Sequence, residues 1–137
     1  MTDNPAALHA AIFAALTGDE TLSGTVGGRI FDAPPRDAGF PYLTIGDWTA
    51  ADWSTGTETG TEHRLAVHVW SRAGGKVEAW LLIARIRELL HDRALTLDGA
   101  NLVNLRFEQA AANLDADRRT WHGLARFRAV TEPQSIT

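Results

Sequence analysis

Residues 74–92, GGKVEAWLLIARIRELLHD, constrain the fold of this chain more than any other stretch. Ala79, Leu82, Ile83, Ile86 and Leu90 recur at helical spacing and form one apolar stripe. Val77, Trp80, Leu81 and Ala84 form a second stripe beside it, and Glu78, Arg85, Glu88 and Asp92 leave only a narrow polar strip. A helix apolar over so much of its circumference needs cover on two sides. A sheet is expected on one side, and either another helix or a neighbouring subunit on the other.

Four alternating segments supply that sheet. In PYLTIGDW (41–48), Leu43 and Ile45 point one way, and Tyr42, Thr44 and Trp48 the other. In HRLAVHVWS (63–71), Leu65, Val67 and Val69 oppose Arg64, Ala66, His68 and Trp70. Two further strands follow around Val103, Leu105 and Phe107 and around Trp121, Ala125, Phe127 and Ala129, joined by the polar turn NLDADRRT. Between the first two strands, residues 49–62 include TGTETGTE, which has nothing to bury, so an antiparallel hairpin with a long mobile tip is expected. An N-terminal helix is read in DNPAALHAAIFAALTG, with Asn4 as cap, Pro5 in the first turn and Gly18 at the exit. Its stripe is Leu8, Ile12, Ala15 and Leu16, with Phe13 beside it. Residues 19–41 read as a long irregular connection. The expected fold is α+β, an antiparallel sheet of about four strands packed with two helices in the order α-β-β-α-β-β. A length of 137 residues fits one domain spanning 1–137.

Catalytic, cofactor and metal chemistry finds no footing in these residues. There are no cysteines, so neither disulfides nor thiolate metal sites are available. The histidines, His9, His63, His68, His91 and His122, show no i,i+4 pair, and His63 and His68 fall on opposite strand faces. GTVGGR (24–29) lacks the Lys-Ser/Thr and the helix of a phosphate loop, and Ser23, Ser54, Ser71 and Ser135 lie in no nucleophile elbow. Asp19 and Glu20 read as solvated. A net charge of −4 argues against general nucleic-acid binding. No apolar run approaches a membrane span and the opening MTDNPAALHA lacks a basic n-region, so cytoplasmic synthesis is expected.

What remains is aromatic and cationic. Twelve of the thirteen basic residues are arginine, and the chain carries five tryptophans. Trp80 and Trp121 are assigned to the core. Trp48 and Trp70 fall away from the Leu/Val/Ile faces, and Trp53 sits in the polar loop. With Arg64, His68 and Arg106 they are the candidate oligomer or partner interface, since aromatics and arginines concentrate at buried interface centres.

The segment VGGRIF (26–31), a short proline-bearing stretch, and then PYLTIG (41–46) form a distinctive pair. With the N-terminal helix, hairpin, VW-ended strand, long amphipathic helix and two closing strands, the layout from about residue 6 to 132 resembles the tail terminator, or tail-completion, proteins of long-tailed phages and gene transfer agents. The resemblance implies a structural virion protein without cofactors. Such proteins form a hexameric ring that caps the tail tube, ends its polymerisation and joins the tail to the head or neck. The implied partners are the tail tube protein below and a neck or head-completion protein above, with DNA passing through the lumen without sequence-specific binding and no membrane involved. The alternatives are another head–tail connector subunit, which gene position would separate, and a small α+β ligand-binding domain or enzyme, which would need a pocket with converging polar groups.

Overall fold

A computed structural model describes residues 5–134; the Asn4 cap and Ser135 lie outside the described residues. Helix α1 (Pro5–Thr17) buries Leu8, Ile12 and Leu16, one residue per turn on a single face, while Phe13 stays 40% exposed. Gly18 closes the helix with its N–H on the Ala14 carbonyl.

The connection read as irregular contains a second helix and a short strand. Helix α2 (Glu20–Val26) is capped by Asp19, whose carboxylate accepts the Leu22 N–H at 2.9 Å. It ends at Gly27, whose φ of 58° suits a residue without a Cβ. Strand β1 (Ile30–Phe31) then pairs in parallel with the start of β2 (Tyr42–Asp52). The fold is therefore α+β as expected, with three helices among the described residues rather than two and a mixed five-stranded sheet rather than a four-stranded antiparallel one.

The remaining strands are β3 (Thr61–Ser71), β4 (Ala100–Leu114) and β5 (Trp121–Pro133), and the spatial order is β1-β2-β3-β5-β4. Helix α3 (Val77–Leu90) links the two hairpins and crosses the same face as α1 and α2. Its first stripe, Ala79, Leu82, Ile83, Ile86 and Leu90, is buried against Leu43, Ile45, Leu65, Val67, Val69, Leu105, Ala125, Phe127 and Ala129. Gly123 allows α3 to sit close, because a Cβ there would lie 3.0 Å from the Ile83 side chain. Among the described residues all the helices thus cover one face of the sheet, and the other face carries none.

Two irregularities decide which side chains reach that open face. Between Gly46 and Thr49 the β2–β3 register slips at a bulge, with Asp47 at φ 51°. One extra residue reverses the alternation. Trp48 accordingly turns onto the helix-covered face, against the expectation, and packs half-buried on the core. Edge strand β4 carries two further slips, at Leu102/Asn104 and Phe107/Gln109.

The β2–β3 connection is also shorter than the expected 49–62 loop, because both strands continue into it. Residues 53–60 form the tip, closed by the Trp53 N–H on the Gly60 carbonyl at 2.9 Å and a Thr55–Glu58 turn at 2.8 Å. The Ser54 hydroxyl adds a bond to Asp52 at 2.6 Å. The tip is thus shorter than expected and carries internal hydrogen bonds.

Candidate functional site

Strand pairing brings together, on the open face, side chains far apart in sequence. His68 on β3 lies opposite Leu124 and Trp70 opposite His122 on β5, while Tyr42 on β2 lies opposite Trp70. The result is a ring ladder. Tyr42 and Trp70 stack at 6.0 Å, Trp70 and His122 at 3.9 Å with planes 3° apart, and His68 and His122 at 4.9 Å. The Trp70 indole N–H donates to the Thr44 hydroxyl at 3.1 Å, which fixes the ring. His68 Nδ1 lies 2.7 Å from His122 Nε2, and His68 Nε2 lies 3.0 Å from an Asp47 carboxylate oxygen. Burial first, and the adjacent His68 second, hold the His122 imidazole below the usual histidine range; burial pushes the Tyr42 phenol up.

Further along the same face, Arg106, Arg128 and Arg64 stand directly opposite one another on β4, β5 and β3. Like charges in register repel. Here Glu62 meets Arg128 at 2.7 Å, Glu108 meets Arg64 at 2.7 Å, and Asp92 lies 3.5 Å from Arg106. Trp53, 53% exposed at the hairpin tip, places its ring 4.9 Å from the Arg128 guanidinium carbon. The structure therefore puts Trp53, Arg64, His68, Trp70 and Arg106 on or beside one open face. Trp48 is excluded from it: beneath the helices, its indole N–H donates to Nδ1 of buried His63 at 3.2 Å, and His63 Nε2 lies 2.8 Å from the Thr131 hydroxyl. Tyr42, read on this strand face but not named as a candidate, joins the surface through β2–β3 pairing, and His122 was missed because only the β3–β5 pairing reveals it.

A second surface lies on the far side of the molecule. On α3, Val77 is 69% exposed, Leu81 66% and Trp80 42%, so the second apolar stripe is uncovered and Trp80 is not a core residue. Beside it, a groove of about 890 Å³ runs between α2 and α3, lined by Leu22, Thr25, Gly74, Val77 and Leu81. Across the groove floor, the Arg85 guanidinium forks onto both oxygens of Asp19. That pairing holds the Asp19 carboxyl at about 2.

The other histidines serve the frame. His9 Nε2 lies 2.6 Å from Asp32, and His91 Nδ1 accepts the Phe107 N–H at 2.9 Å. Among the described residues no group of three or more His, Cys, Asp or Glu side chains is arranged to hold a metal ion. No helix among the described residues is long and apolar enough to cross a membrane. The geometry is that of a protein with two extended surfaces, one apolar and one aromatic and charged.

Known proteins share this fold. The chain is 28% identical over 102 residues to the tail completion protein gp17 of Bacillus phage SPP1, which covers 73% of this chain and 74% of that one. Its fold superposes with a TM-score of 0.86 on a chain of the virion of a native gene transfer agent particle, at 30% identity over 93% of this chain and 96% of the other. The structure of SPP1 gp17 itself matches with a TM-score of 0.63 and 25% identity, over 96% and 92% of the two chains. The sequence pattern of the tail completion protein gp17 family extends over residues 10–132, and the chain belongs to that family.

Proposed function

We propose that this protein is a structural component of a phage tail or gene transfer agent particle, without enzymatic turnover. It acts as a ring that caps the tail tube, ends tube polymerisation and joins the tail to the head or neck. The observation that carries the reading is the fold likeness, over nearly the whole chain, to a chain of a gene transfer agent virion. The surfaces support it. A ring needs a head-to-tail contact between two unlike patches on each subunit. The apolar outer face of α3 and the aromatic, arginine-bearing sheet face lie on opposite sides of the molecule and differ in chemistry. In this reading each subunit sets α3 against the next subunit, with Trp53, Arg64, His68, Trp70 and Arg106 on the surface that answers it or faces the tube. The ring is hexameric and DNA passes through its lumen unread. The protein works in the particle at the head–tail junction and is assembled in the bacterial cytoplasm.

Deleting the gene in its producing strain tests this. Filled heads accompanied by tails of abnormal length are expected, and native mass spectrometry of rings recovered from particles should give six copies. Tails of normal length joined to heads in the deletion strain would overturn the proposal.

A further inference from the structure

The hydrogen-bond chain Asp47–His68–His122 on the open face has a property that its hydrogen count imposes. Asp47, 53% exposed at its side chain, accepts from His68, so His68 Nε2 carries a hydrogen. The 2.7 Å gap between His68 Nδ1 and His122 Nε2 holds one hydrogen and no more. With both rings neutral, that hydrogen sits on His122. When one proton is added, one of the two rings becomes an imidazolium and a single hydrogen still bridges the gap. A second proton would set two N–H groups against each other across 2.7 Å, and the pair has to separate. Separation moves the His122 ring, which also forms the 3.9 Å stack on Trp70. Trp70 stays behind, tied to Thr44.

We propose that this chain is a proton-operated latch on the open face of the sheet: it stays shut with at most one added proton and opens on the second, uncovering Trp70 and adding positive charge to the face. The charged and titratable groups around it set the operating range. Asp47 and Tyr42 face it from β2 and His68 from β3, while Arg72, in the segment after β3, acts on Tyr42. Arg126 lies further along β5, uncharged Asn113 stands opposite His122 on β4, and Asp115 lies in the β4–β5 turn. Asp47 and Asp115 favour protonation of His122; burial and His68 oppose it more strongly. The latch therefore opens in mild acid, below the range in which an exposed histidine titrates.

Nitrogen-detected NMR of the histidine rings across a pH series, with the Trp70 indole resonance assigned from Trp70→Phe, tests the latch. His122 is expected to titrate below a free imidazole, and the Trp70 indole signal to move with the same midpoint. A His122 that titrates like free imidazole, or a Trp70 signal that ignores its titration, overturns the proposal. His122→Phe keeps a stacking ring and removes the titration, so the Trp70 step should vanish; a persisting step overturns it. His68→Gln, which takes one ring off the ladder but removes neither partner of the 3.9 Å Trp70–His122 stack, should raise the His122 midpoint, and an unchanged midpoint overturns it as well.

Discussion

Trp48 shows how one backbone position redirects a side chain. By simple alternation it belongs with Tyr42 and Thr44, on the open face. The bulge at Asp47 inserts one residue and turns the indole under α1, where its N–H meets His63. The Gly46–Asp47 pair is the only local hint of this in the sequence, since both residue types tolerate the backbone that a bulge needs. Replacing Trp48 by Phe removes the donor to a fully buried ring nitrogen and should cost roughly 1–3 kcal/mol in chemical denaturation. Oligomerisation should be untouched. A variant of unchanged stability that fails to assemble would instead return Trp48 to an interface. The His68–His122 contact was illegible for another reason: the residues are 54 apart, and only the pairing of β3 with β5 makes them neighbours.

Elements with a strong internal period were readable in advance. The buried stripe of α3, the alternation of β3 and β5 and the Leu8/Ile12/Leu16 face of α1 all follow from apolar spacing. Helix α2 was not readable, because ETLSGTV is short and contains Ser, Gly and two β-branched threonines, all poor helix formers. Contacts from elsewhere hold it: the Asp19 cap, the Arg85 fork onto that cap, and the burial of Leu22 and Val26. Strand β1, two residues long and paired in parallel, has no period to detect. The role of Asp19 makes α2 sensitive to acid. Its carboxyl, lowered from 3.8 to about 2 chiefly by the hydrogen bonds from Arg85, releases its proton more readily folded than unfolded. Its contribution is therefore complete above about pH 4 and is lost as pH falls toward 2. Asp117, held below the usual carboxylate range by the Thr120 hydroxyl and the Arg119 and Thr120 N–H groups, adds to the same limb. In Asp19→Asn the acid-unfolding limb between these pH values should flatten, with the Asp117 part remaining. An unchanged limb would show that the Arg85 fork does not operate in solution.

At the scale of the whole molecule, the one-sided placement of the helices leaves the sheet face and the back of α3 as separate surfaces. The sequence anticipated that α3 needs a second cover, and the folded chain does not supply it: Val77, Trp80 and Leu81 remain exposed. Because Leu81 is 66% exposed, Leu81→Glu should change subunit stability by no more than about 0.5 kcal/mol. Ring formation on tail tubes should fall sharply in the same variant, as seen by electron microscopy of complemented particles. Complementation at the normal level would place the back of α3 on the outside of the assembly. Fold class and the existence of a two-surface molecule were legible from the chain, while the partition of residues between the surfaces depended on bulges and strand order.

The long edge strand β4 bears on the life of the subunit before assembly. Its two register slips, together with Arg106 and Glu108, break the even row of backbone donors and acceptors that a stray strand would use as a template. Copies can therefore accumulate beside one another without zipping into fibres. In the proposed ring, recruitment would then rest on side chains, whose contacts form and dissolve reversibly, so that a misplaced subunit could leave and be placed again.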